Sequence, residues 1–242
     1  MTILNCKIES QLFMNKLIFA LLFLCLPYSL LGQNIQFHYD FSDGFGKSSD
    51  PRGFLTTTLD FYKSDSYGSS WWFVDFDFSD DSKIGQAYFE IARDQKIGNF
   101  PLLAHIEFNG GLYQGAAIDN SFHSGIMYPF DIGPISFETA LMYRYTTDSK
   151  EYTDSKIGIS WYADLLNGKI SLIGFFNMWT QDAEKNSSSA TGKNISFISE
   201  PQIWYNINDS FSIGSEIEFS YNFLFDAEGL QLYPTVGLRL FF

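Results

Sequence analysis

Thiols are almost missing from this sequence: its 242 residues include 2 cysteines, Cys6 and Cys25, both before residue 33. If the leading segment is removed, the mature chain holds no disulfide, thiolate metal site or cysteine nucleophile. Cations are scarce as well, with 15 Lys and Arg against 28 Asp and Glu and a net charge of −13. No basic stripe interrupts that excess, so no nucleic-acid partner is expected, because phosphate binding needs Lys and Arg. The 3 histidines, His38, His105 and His123, form no metal-binding cluster, and neither a metal nor another cofactor is expected. No apolar run reaches the roughly 20 residues of a membrane-spanning helix.

What the chain does have is aromatic residues: 26 Phe, 14 Tyr and 5 Trp make up 19% of it. Mean hydropathy is nonetheless close to zero. Many rings beside many carboxylates, in a chain that is neither oily nor disordered, point to a structure wet on one side and greasy on the other.

The first 32 residues read as a targeting segment. Met14-Asn15-Lys16 supplies a short basic start, Leu17 to Leu26 an apolar run, and Pro27 to Gly32 a breaker ending in a small residue. That is the anatomy of a secretory signal, too short to serve as an anchor, with cleavage expected after Gly32. Leu24 before Cys25 argues against lipid attachment there. Residues 1–13 intersperse polar and charged residues such as Asn5, Lys7, Glu9 and Gln11, so translation is expected to begin at Met14, the alternative being an extended n-region.

Residues 33–242 then repeat one signal, alternation with period two. In Trp72-Phe73-Val74-Asp75-Phe76-Asp77-Phe78 the residues Trp72, Val74, Phe76 and Phe78 share a face. Gln36 to Phe41, Thr58 to Phe61, Tyr88 to Ile91, His105 to Asn109 and Glu216 to Phe223 do the same. Such alternation predicts strands with one apolar environment. Twelve segments start near residues 34, 53, 70, 83, 101, 114, 134, 155, 168, 193, 211 and 232. Most run to about ten residues, the length a tilted strand needs to cross a bilayer, and longer than the strands of a soluble sandwich.

Connections come in two lengths: Asp164 to Gly168 and Asn206 to Asp209 are short, Gly44 to Arg52 and Asp182 to Gly192 long and polar. The end is the sharpest local feature. Val236, Leu238, Leu240 and Phe242 share a face, and a terminal aromatic on an alternating strand is the signal by which barrel-assembly machinery recognises its clients. The expectation is an all-β, 12-stranded antiparallel transmembrane barrel in a bacterial outer membrane, surrounded by lipid.

The opposite parity predicts the lumen. It collects Asp40, Asp60, Trp71, Phe73, Asp75, Asp77, Tyr88, Glu90, His105, Glu107, Asn109 and Arg144 as candidate solute contacts. His38, Thr58, Glu138, Lys156, Tyr162, Glu200, Gln202, Trp204, Glu216, Glu218, Asn222 and Arg239 share that register. Ring faces stack on flat solutes, and carboxylates accept hydrogen bonds from hydroxyls and amines. The bland alternative is a narrow interior filled by paired charges, Glu138 with Arg144 or Lys156. No catalytic residue is expected. Ser121 with His123 is the one pair to weigh for a hydrolase, and a non-transporting anchor or surface receptor is the rival to a channel. Arg93 falls on the lipid-facing register, so it must sit at the membrane boundary or be turned inward by a bulge.

Phe37-His38-Tyr39-Asp40-Phe41, Thr56 to Phe61, Ser70 to Phe78, Ala87 to Arg93 and His105 to Gly111 together resemble the Tsx-like superfamily of outer-membrane channels. The likeness is closer to its sister family of unknown function than to the nucleoside-specific branch. It implies a 12-stranded monomeric barrel and, by extension from the relatives, passive uptake of nucleosides.

Overall fold

The computed structural model describes residues 33–42, 55–78, 83–147, 154–182, 192–223 and 229–242. The expected signal segment lies outside them, as do most of the two long connections. The strands are β1 (Gln33–Asp40), β2 (Leu55–Asp65), β3 (Gly68–Phe78), β4 (Ile84–Lys96), β5 (Leu103–Tyr113) and β6 (Ala116–Ile132). Then come β7 (Ile135–Thr146), β8 (Asp154–Leu165), β9 (Ile170–Asp182), β10 (Lys193–Ser199), β11 (Gln202–Asn208), β12 (Phe211–Tyr221) and β13 (Leu230–Phe241).

Every strand pairs antiparallel with its neighbours, and β1 pairs with β13 to close the ring. The 13 segments make 12 staves, because β10 and β11 lie end to end between β9 and β12. Glu200 and Pro201 separate the two, and proline has no N–H to continue a ladder. The stave count and the strand starts agree with the alternation in the sequence. Closure leaves no free sheet edge among the described strands.

Polarity is inside out. Glu90, Asp94, Glu107, Lys156 and Arg239 are buried, whereas Ile106 and Leu141 are 60% and 56% exposed. Val236, Leu238, Leu240 and Phe242 all point outward, and the Phe242 amide donates to the Gln33 carbonyl at 3.4 Å across the closing seam. An apolar exterior around a polar interior is what lipid demands and water penalises. The connections sort by end. At the end holding Gln33 and Phe242 they span 66–67, 97–102, 133–134, 166–169 and 209–210. At the other they span 41–54, 79–83, 147–153, 183–192 and 222–229, with one tight exception at Gln114-Gly115. Both of those residues have positive φ, 49° and 82°, as a two-residue hairpin matched to strand twist requires.

Arg93 keeps its outward register opposite Ser70, at the short-turn rim. No bulge turns it: its guanidinium holds Asp65 with two bonds, 2.7 and 3.0 Å, and also donates to Ser70 and Gln95. Glu200 and Asn222, expected on the inward register, lie outside the strands. The first lies in the break between β10 and β11, and the second follows β12 with a φ of 51°, so neither is a strand residue.

Candidate functional site in the barrel lumen

Cross-strand register carries the inward face around the ring. Asp60, Phe73, Glu90, Asn109 and Ser121 lie opposite one another in succession from β2 to β6. So do Ala92, Glu107, His123, Arg144 and Asp154 from β4 to β8. The twelve candidate contacts all share this face, but they fall into two different settings.

On β4 to β8 the interior is bound up around Glu107. Its Oε1 accepts from His123 Nδ1 at 2.5 Å, from Lys156 Nζ at 2.6 Å and from Asn109 at 3.3 Å. His105 Nε2 bonds the other oxygen at 3.3 Å, and its Nδ1 lies 2.6 Å from Asp94. Lys156 also stands 4.0 Å from Glu90, which receives the Tyr88 hydroxyl at 2.9 Å. Lys156 reaches from β8 past β6 and β7 to β5, so the network ties together one stretch of wall from β4 to β8. A buried charge is tolerated only when paired and hydrogen-bonded, and here each one is.

On β1 to β3 neutral groups donate hydrogen bonds to the acids, and Asp60 also has Arg239 as a charged neighbour. Asp75 accepts the Thr58 hydroxyl at 2.5 Å, Asp77 that of Thr56 at 2.7 Å, and Asp60 the Asn34 amide at 2.9 Å. Asp40 is buried and caps the Ser42 amide at 2.7 Å. Beside them the rings of Trp71 and Phe73 lie 5.9 Å apart with planes within 4°, and Tyr88 continues the row at 5.9 Å. These three rings and Asp75 are only partly covered.

A third grouping closes the seam side. Trp204 is fully buried, edge-on to His38 at 5.5 Å and 4.6 Å beneath the Arg239 guanidinium, which Phe241 flanks at 4.7 Å. Glycines make the room: a side-chain carbon on Gly214 would meet the Trp204 ring at 2.5 Å.

The structure corrects the pairing of Glu138 and adds one residue to the inward face. Glu138 pairs with neither cation proposed for it; Lys156 takes Glu107, Arg144 lies 5.8 Å over Trp179, and Glu138 meets the Ser160 hydroxyl at 3.5 Å. Ser121 and His123 do not form a nucleophile–base pair, because Ser121 bonds Thr146 at 3.0 Å and His123 is held by Glu107. His123 also sits on a well-formed inward register, although its local sequence alternates poorly. Asp94 was missed altogether. It has the parity of Tyr88 and Glu90, and extending the strand beyond Arg93 to Lys96 would have found it. Among the described residues no metal-binding group of three or more ligands occurs.

Two solved structures have the same architecture. The NanC porin superposes with a TM-score of 0.55 at 6% identity, covering 87% of this chain and 98% of that one. The KdgM porin gives 0.50 at 7% identity, covering 88% and 99%. The shared feature is the fold of an outer-membrane porin barrel. No curated protein sequence matches the chain. A family model described as a domain of unknown function, DUF5020, matches residues 32–242.

Proposed function

The chain belongs to the DUF5020 family, a domain of unknown function, and from that premise we propose that it is an outer-membrane channel passing small polar solutes by facilitated diffusion. One observation carries the reading: a partly open row of rings, Trp71, Phe73 and Tyr88, runs beside Asp75 on the inward face of a closed barrel. Rings stack on flat solutes while carboxylates and hydroxyls take their polar edges, and binding stays weak enough for release. Nucleosides are the first solutes to test, on the Tsx-like resemblance. The barrel resides in the outer membrane as a monomer in lipid, is exported by the segment up to residue 32, and is inserted through the strand ending at Phe242.

The test is reconstitution into planar bilayers with nucleosides added on one side. Concentration-dependent block of conductance is expected. Conductance without block removes nucleosides and keeps the pore. A second reading, a non-transporting anchor or surface receptor, draws on the Glu107 network, which occupies the interior from β4 to β8. Absence of conductance at every voltage favours it over the channel.

A further inference from the structure

The interior cations and acids are unevenly distributed, and the imbalance bears on which solutes enter. Lys156 is committed to Glu107 at 2.6 Å, and Arg239, held between the rings of Trp204 and Phe241, has Asp60 and Asp164 as its acidic neighbours. Arg144 lies over Trp179, on the side of Glu107 and Asp154. None of these three is a charge partner of Asp75, whose charged neighbours are Asp77, Glu216 and Asp60. The Thr58 hydroxyl donates to Asp75 and occupies one of its lone pairs without supplying a counter-charge.

The rings lie within this acidic stretch. Cross-strand register places Phe73 between Asp60 and Glu90, and Asp75 between Thr58 and Tyr88. Trp71 and Phe73 stack on each other and keep part of their surface open to the lumen. An aromatic face is the negative pole of its quadrupole and attracts cations, Trp most strongly. Carboxylates and ring faces therefore contribute the same sign of potential, and low-dielectric walls focus it along the path.

From this juxtaposition, and resting on the channel reading above, we infer that the lumen is cation-selective and that its preferred organic solutes carry an amine or similar cationic group beside a flat ring. Such a solute sets its charge against Asp75 and its ring against Trp71 and Phe73. Acidic side chains select cations in other pores by the same attraction.

The full-length protein in planar bilayers under a KCl gradient tests the inference directly. A reversal potential favouring K+ over Cl− is expected, and Asp75→Asn lowers that preference by roughly twofold to fivefold, the scale of one charge at about 4 Å in screened water. Benzylammonium blocks the current at lower concentration than its neutral counterpart benzyl alcohol, and both Asp75→Asn and Trp71→Ala weaken that block. Anion preference or no preference in the unaltered protein overturns the inference, as does equal block by the neutral alcohol. Each of those results leaves the pore itself standing. A protein that inserts but never conducts overturns the channel reading and this inference with it.

Discussion

Two stretches of the same inward face, β4 to β8 and β1 to β3, have similar acids and opposite arrangements. Around Glu107 each carboxylate meets a lysine or a histidine, and the side chains are buried. Around Asp75 hydroxyls and an amide donate to the acids, and the rings beside them stay partly open. The choice of partner makes the difference. A cationic partner neutralises a carboxylate and lets the lumen fill, whereas a hydroxyl partner orients it and leaves its field for a solute. One barrel thus carries a braced stretch of wall and, beside it, the stretch on which the proposed solute contacts lie.

The most severe way to break this comparison is to remove a charge from the braced wall. Glu107→Gln strips Lys156 of its 2.6 Å partner and leaves only Glu90, 4.0 Å away. Breaking one side of a buried ion pair costs about 3–5 kcal/mol, since the remaining charge stays buried without compensation. The unfolding midpoint in detergent should fall accordingly. Asp60→Asn, where the hydrogen-bond donor is the neutral Asn34 amide and Arg239 acts only at longer range, should cost about 1.5–3 kcal/mol at most. Equal losses from both variants would show that the two walls do not differ in kind.

A smaller effect is expected on recognition. Trp71→Ala removes one ring of the parallel pair without touching a charged partner, so folding is retained. Base–aromatic stacking contributes about 1–3 kcal/mol, which weakens block by a flat solute about fivefold or more. Tyr88 is a poorer probe, because its hydroxyl also serves Glu90 at 2.9 Å. Unchanged block in Trp71→Ala would reduce the ring row to packing and leave the carboxylates as the solute contacts.

The fold could be read from the sequence because a barrel strand is a local pattern. Each stretch such as Trp72 to Phe78 states its own parity, and twelve such statements close a ring with no long-range knowledge. The β10–β11 interruption is less legible, since Pro201 stands in it but Pro129 and Pro234 lie within unbroken strands. Pairings across the lumen have no such local signature. Lys156 meets Glu107 over two intervening strands, and which acid it reaches depends on barrel radius and strand stagger. Sequence parity therefore puts Glu138, Lys156 and Arg144 on one face but pairs them wrongly. His123 is obscured for a different reason: its strand bulges, between Asn109 and Gly111 on the β5 side, which scrambles the alternation just before it.

The gentlest test concerns a charge that is paired but outside. Arg93 holds Asp65 with two bonds at the short-turn rim, and Asp65 is 41% exposed. Water at that boundary screens the pair, and exposed ion pairs contribute little to stability. Arg93→Ala should therefore leave the unfolding midpoint where it is, within the scatter of the measurement. It should also leave the reversal potential unchanged, because Arg93 faces away from the lumen opposite Ser70. Asp75→Asn alters a charge of similar size on the adjoining strand β3 and should shift that potential. If the two variants shift it equally, charge anywhere on the barrel sets selectivity, and the inward parity of Asp75 confers no special access to the solute path.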